Sequence, residues 1–313
     1  MDAYTPRTER ARFAVAGARA NVAAALGSQP RGDVVRNNVF AGLLLLSILI
    51  ALAGLVALLT QALVEGAPAL GPDLLTNPPS TIDTANAGFR PALIGSVMMI
   101  AFVIILIVPL GVGAAIYLEE YADNTRWWNR LFEVNIQNLA AVPSIIYGIL
   151  GLGFIVRGPL DLGFILIAGA ITLALLVLPV VIIAAREAIR AVPPSIREGS
   201  YALGATRWQT VRRQVLPASI SGVATGVILA VSRALGETAP LLLVGATVFV
   251  TFDPTPFGAD GYSALPVQIF QYATRPQEDF QTLAAAGIIV MLGVLLAMNS
   301  VAIWLRNRYE QKW

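Results

Sequence analysis

Cysteine and histidine are both absent from the 313 residues. That removes disulfides, Cys/His metal sites and any nucleophilic centre built on a Cys–His or Ser–His pair. Lysine occurs once, at Lys312, so the chain cannot contain a GxxxxGK[ST] phosphate loop and does not bind ATP that way. Charge is scarce as well. Only 13% of the residues are Asp, Glu, Lys or Arg, about half of the ~25% usual in a soluble domain. With 57% hydrophobic residues and a mean hydropathy of +0.72, most of the chain faces lipid. Nothing in the composition calls for a cofactor or for nucleic acid.

What is there is a succession of long apolar runs. Roughly 20 apolar residues cross a bilayer core, and six stretches reach that length: 39–64, 92–118, 134–156, 162–185, 218–250 and 282–305. Pro109 and Pro179 lie inside the second and fourth, where neighbouring helices can satisfy the freed backbone groups. The first run starts too late and is too long for a cleaved signal core of about 7–15 residues. Residues 1–36 are polar and rich in arginine. They read as a mostly disordered arm, with a helical turn near 10–25, ahead of a membrane-embedded body at 37–313.

The placement of the 21 basic residues gives the orientation. Seventeen fall in the N-terminal arm, the loops 119–133 and 186–217, and the C-terminus. The alternate segments hold one each: Arg90, Arg157 and Arg275. This is the positive-inside pattern, which places both termini and the loop 186–217 in the cytoplasm. The expectation is an all-α integral membrane protein with six transmembrane helices. The acidic, proline-rich loop 251–281 lies opposite, with a short surface helix at 265–272.

Within the basic loop, 195–217 (SIREGSYALGATRWQTVRRQVLP) has a defined grammar. Ser195 with Glu198, and Thr206 with Gln209, have capping-box spacing, and Gly204 stands where a left-handed turn ends the first helix. The second helix runs up to Pro217. Ile196, Leu203, Trp208 and Val211 would give this knob one apolar side. A rigid knob of that kind can enter a groove on a soluble partner, which fits a membrane chain that has no nucleotide loop of its own. The bland alternative is an amphipathic helix resting on the inner leaflet.

Inside the fifth run, Arg233 and Glu237 are one helical turn apart and can meet. A charge at mid-membrane costs about 2.5–3.5 kcal/mol on insertion scales, so both should be paired or face a wet cavity. Arg233 lies about 24 Å of helix beyond Pro217. Pro240 should bend the helix beside the pair. Two readings stay open: a salt bridge that locks this helix to a neighbour, or a charged contact in a translocation path, where arginine suits an oxyanion. The stretch 142–148 (VPSIIYG) reads as ordinary membrane packing. A membrane enzyme has few candidates for acid–base chemistry, because no intramembrane carboxylates are paired.

Glu198-Gly199-Ser200, then Gly204, then Leu216-Pro217 resembles the EAA motif of ABC-importer permeases. Gly199 and Ser200 stand in place of two alanines, and Gln214 in place of an isoleucine. The stretches 138–154, 192–217, 232–242 (SRALGETAPLL) and 265–280 are together similar to the PstA-type permeases of phosphate importers. This resemblance implies a type I ABC-importer permease in a bacterial inner membrane. It implies a PstC-like sister permease, a PstB-like ATPase dimer, an extracytoplasmic phosphate-binding protein, and phosphate as cargo. Carried onto this sequence, Glu198, Gly199, Ser200, Ala202, Leu203, Gly204, Ala205, Thr206, Leu216 and Pro217 would meet the ATPase. Arg233, Glu237 and Thr238 would line the phosphate path. Competing cargoes are sulfate and molybdate, and a competing class is a secondary transporter or channel working alone.

Overall fold

The computed structural model describes residues 31–123, 125–246, 249–258 and 261–309, most of them helical, with the longer non-helical stretches at 77–89, 157–165 and the described parts of 244–264. The chain divides into two compact units, Met1–Gln61 and Ala62–Trp313. The described part of the first is a single helix, α1 (Arg31–Gly66), which continues past Gln61; its apolar side chains, Leu43 to Leu58 among them, stand exposed. It begins inside the arm expected to be disordered, so residues 31–36 are helical. The turn anticipated near 10–25 falls outside the described residues.

The second unit is built around α6 (Leu166–Arg190), the most buried of the long helices, with 67% of its apolar window inside the fold. Two helices pack against it. α3 (Arg90–Ile116) lays Met99, Val103 and Ile107 into the main core. α9 (Leu216–Gly236) approaches through small residues: a Cβ on Gly222 would sit 2.6 Å from Ala188 Cβ, and Gly226 lies as tightly against Ala184. Gly222 and Gly226 have the small-xxx-small spacing that lets membrane helices approach closely where lipid supplies no hydrophobic drive. Pro109 and Pro179 lie inside unbroken helices, as the apolar runs predict. α12 (Glu278–Tyr309) is the last described helix; its first turns are buried through Phe280, Leu283, Ala284 and Ala286, while Leu296, Val301 and Trp304 further along are exposed.

Among the described residues, five helices are long and apolar enough to cross a membrane. A sixth crossing comes from a bent pair, α4 (Trp127–Ala140) and α5 (Ser144–Leu150), the latter extended by a π turn to Val156. The run 134–156 is thus not one straight helix. Pro143 caps α5 and the two parts meet at 106°. The residue before a proline is pushed out of the helical region, which explains the break at Val142-Pro143. The fifth run differs as well. It ends as a helix at Gly236, passes through an extended Glu237, and restarts as the short α10 (Ala239–Leu243).

Four short helices complete the described chain: α2 (Pro72–Thr76), α7 (Pro194–Ala202), α8 (Arg207–Thr210) and α11 (Leu265–Ala273). The helix expected on the surface at 265–272 is instead buried, with Leu265, Val267, Gln268 and Tyr272 inaccessible. Ser96 Oγ accepts from the Leu265 N–H at 2.8 Å, pinning this helix to the start of α3. Phe89 meets Tyr272 edge-on at 5.5 Å. Burial pushes the Tyr272 phenol up to about 12, so it stays neutral at physiological pH.

Candidate functional site

Two clusters of the sequence-derived residues form at opposite ends of one helical run. At the basic end, α7 stops at Leu203, and Gly204 takes φ +81. The N–H groups of Gly204 and Ala205 bond back to the carbonyls of Tyr201 (2.9 Å) and Ser200 (3.2 Å), the paired bonds of a Schellman ending. The Thr206–Gln209 capping box is present in both directions, at 2.8 and 3.3 Å. Its counterpart at Ser195–Glu198 does not form. Pro193 is the cap and Pro194 opens the helix, because a proline ring is already set to the helical φ. Ser195 and Glu198 therefore lie within α7 and are exposed.

Ser200 Oγ and Thr210 Oγ1 are 2.8 Å apart and tie α7 to α8. Between them runs a groove of about 560 Å³ lined by Ser195, Gly199, Ser200, Gly204, Ala205 and Arg213 among others. The four apolar residues expected on one side separate. Val211 is fully buried and Ile196 packs on a small core, while Leu203 (91% exposed) and Trp208 (54%) project outward. Glu198, Gly199, Ala202, Leu203, Gly204 and Thr206 are exposed, and Ser200, Ala205, Leu216 and Pro217 are half-buried.

Pro217 does not end the second helix. Arg207–Gly236 is one span of 30 residues, widened by a π turn at Val211–Val215. A proline ring clashes with the carbonyl four residues back, and the wider turn just before Pro217 draws that carbonyl away. At ~1.5 Å per residue the span reaches about 45 Å.

At its far end Arg233 Nε donates to Glu237 Oε1 at 3.2 Å, with the two side chains 42% and 17% exposed. Glu237 is the residue at which the helix breaks, and Thr238 follows it, half-buried, leading into α10. Ser232 Oγ donates to Asn299 Oδ1 (2.7 Å), holding this end of α9 to α12. Tyr147 lies close enough to Arg233 to feel its charge, and its hydroxyl donates to the Leu139 carbonyl across the bend between α4 and α5. The two broken segments touch here. A Cβ on Gly148 would fall 2.7 Å from Pro240 Cα and 3.0 Å from Leu243 Cδ1. The stretch 142–148 is therefore part of the surroundings of the charged pair, beyond general packing. Gly148→Val should overpack this crossing and cost about 1–3 kcal/mol. A lower melting temperature of the purified protein is the expected result.

The Binding-protein-dependent transport system inner membrane component family matches residues 107–312. This chain belongs to that family. The phosphate transport system permease protein PstA of Yersinia pestis is 33% identical over 268 residues, covering 85% of this chain and 88% of that protein. The protein of the same name from Haemophilus influenzae is 34% identical over 264 residues, covering 84% and 91%. Among solved structures, a bacterial ABC transporter involved in importing the acidic polysaccharide alginate superposes with a TM-score of 0.61 at 16% identity, covering 89% of this chain and 98% of that one. The inward-facing MetNI methionine ABC transporter gives 0.54 at 17% identity, covering 71% and 95%. The fold is that of an ABC-importer permease, and the chain is a multi-pass inner-membrane protein.

Sequence reading missed one feature of this permease. Six charged residues interlock at the basic end. Arg186 donates to Glu119 (2.8 Å) and Glu133 (2.9 Å), Arg190 to Glu119 (2.8 Å), and Arg197 to Glu120 (2.8 Å). Arg186 and Arg190 are one helical turn apart and both reach Glu119, while its neighbour Glu120 takes Arg197.

Proposed function

We propose that this chain is one of two permease subunits of an ATP-driven phosphate importer, with phosphate passing Arg233 and a separate ATPase docking on the groove between α7 and α8. The observation that carries this reading is the identity of about one third with phosphate permeases, sustained over 85% of the chain for the Yersinia pestis protein. The sister permease, the ATPase dimer and an extracytoplasmic phosphate-binding protein belong to the same reading, as does the orientation with the basic end and both termini in the cytoplasm.

The pair's chemistry supports the cargo. Arg233 offers a planar fork of donors suited to oxyanions. Glu237 beside it offers only acceptors, since an ionised carboxylate has no proton to donate. Phosphate near neutral pH carries both bare oxygens and a hydroxyl, so it can accept from Arg233 and donate to Glu237. Sulfate carries no proton there and would meet Glu237 as a like charge. An arriving phosphate exchanges partners with the Arg233–Glu237 bond and leaves neither charge bare, which keeps the desolvation cost of the path low.

ATP binding would draw the docked ATPase subunits together and move α7 and α8. Because α8, the π turn and α9 are continuous, that motion reaches Arg233 along one element. The experiment is energised phosphate uptake under phosphate limitation, in cells with and without this chain. Uptake should fall to background on deletion and return on complementation. Unchanged uptake with every other phosphate carrier removed would contradict the reading.

A further inference from the structure

The side chain next to the exposed Glu198 turns the opposite way, into the membrane-proximal core. Arg197 Nε and one terminal nitrogen donate to Glu120 Oε1 at 3.0 and 2.8 Å. The same guanidinium donates to the carbonyls of Val192 (2.7 Å) and Ile189 (2.9 Å). The Glu120 side chain is 5% exposed and that of Arg197 19%. Exposed ion pairs contribute ~0–1 kcal/mol. This one is enclosed and charge-assisted, and removing one partner would strand the other.

Three elements meet at this guanidinium. Glu120 belongs to the π turn Tyr117–Tyr121 that ends α3, Ile189 and Val192 lie at the end of α6, and Arg197 is in α7. Successive residues of a helical turn point in different directions, so the consecutive carboxylates serve different partners. Glu119 faces Arg186 and Arg190 on α6, while Glu120 faces Arg197 on α7. On its other side α7 is tied to α8 by the Ser200–Thr210 contact.

We propose that Arg197 and Glu120 form a latch that carries movement of α7 into α3 and α6, so that coupling runs by two routes: through the latch to the core helices, and through α8 and α9 to Arg233. Arg197 is a positioning residue, since it acts through Glu120 and the α6 carbonyls. The latch rests on the functional reading above, in which α7 receives the ATPase. A displacement of α7 with the latch closed drags the ends of α3 and α6 with it. With the latch open, the same displacement is taken up locally and the core stays still.

The test uses the complete reconstituted transporter: both permeases, the ATPase dimer and the loaded binding protein. Arg197→Lys keeps the charge and loses the fork, and Glu120→Gln keeps the shape and loses the charge. Each should retain its ATPase and hydrolyse ATP, yet import about tenfold less phosphate per ATP, within the range of ordinary coupling energies. The double variant should be no worse than either single one, because both break the same contact. Unchanged phosphate-to-ATP ratios, additive losses, or loss of the ATPase from both single variants would each overturn the latch. The last outcome would make the contact one of assembly alone. Failure of the wild-type complex to import phosphate would instead overturn the functional reading, and the latch with it.

Discussion

Arg233→Gln is expected to lower ATP-driven phosphate uptake about a hundredfold, with the amount of assembled complex unchanged. Losing a hydrogen bond to a charged group costs about 1.5–3 kcal/mol, and each ~1.4 kcal/mol is a factor of ten. The effect should fall on transport more than on folding. The Arg233 side chain is 42% exposed in the isolated chain, and glutamine can still donate one hydrogen bond toward Glu237. What it cannot supply is a permanent charge and a two-pronged grip on an oxyanion. Glu237→Gln is an informative companion. If Glu237 accepts the phosphate hydroxyl, this variant should weaken the preference for phosphate over sulfate, where Arg233→Gln weakens passage of both. Radiolabelled uptake alongside quantitation of the purified complex separates these outcomes. An assembled Arg233→Gln complex with normal uptake would make the pair a structural salt bridge.

The second large effect is expected at Gly204. Its φ of +81 is a conformation in which a β-branched residue is strained. No atom lies within 4 Å of where a Cβ would stand. The penalty of Gly204→Val is therefore one of backbone conformation, ~1–3 kcal/mol, with no crowding to blur it. That penalty falls on the Schellman bonds from Gly204 and Ala205, which set the angle between α7 and α8. Helices α3, α6 and α9 pack elsewhere and should be untouched. The expected result is a normally inserted permease whose complex loses about tenfold or more of its binding-protein-stimulated ATP hydrolysis, within the same coupling range. Stimulated ATP hydrolysis as high in Gly204→Val as in the wild-type complex would mean that the turn does not matter.

What was legible in the sequence was whatever local chemistry fixes. Thr206, Gln209 and Gly204 are read correctly because caps and left-handed turns depend on residues within a few positions of each other. The apolar runs gave the number and order of the crossings for the same reason. Misreadings arise where two local signals compete. Ser195 and Glu198 have capping-box spacing, but Pro194 at the first helical position moves the cap two residues earlier, to Pro193. Pro217 looks like a stop, yet the π turn at Val211–Val215 carries the helix through it.

Tertiary placement was the least accessible level. Helix α11 reads as a surface element because its loop is polar, but Ser96 and Phe89, some 170 residues earlier in the chain, enclose it. Gly148 acquires its meaning from Pro240, and Arg197 from Glu120, and neither pairing leaves a periodic trace. The Arg233–Glu237 contact was anticipated from the spacing alone. Its setting, at the break between α9 and α10 where Gly148 meets Pro240, was not.

The most direct measurement is ion uptake by the reconstituted complex in proteoliposomes, with ATP supplied on the ATPase side and the loaded binding protein on the other. The prediction is phosphate accumulation that requires ATP, requires this chain, and is not reproduced by sulfate or molybdate. Accumulation of sulfate or molybdate at the rate of phosphate, or phosphate entry that continues without ATP or without this chain, would contradict it.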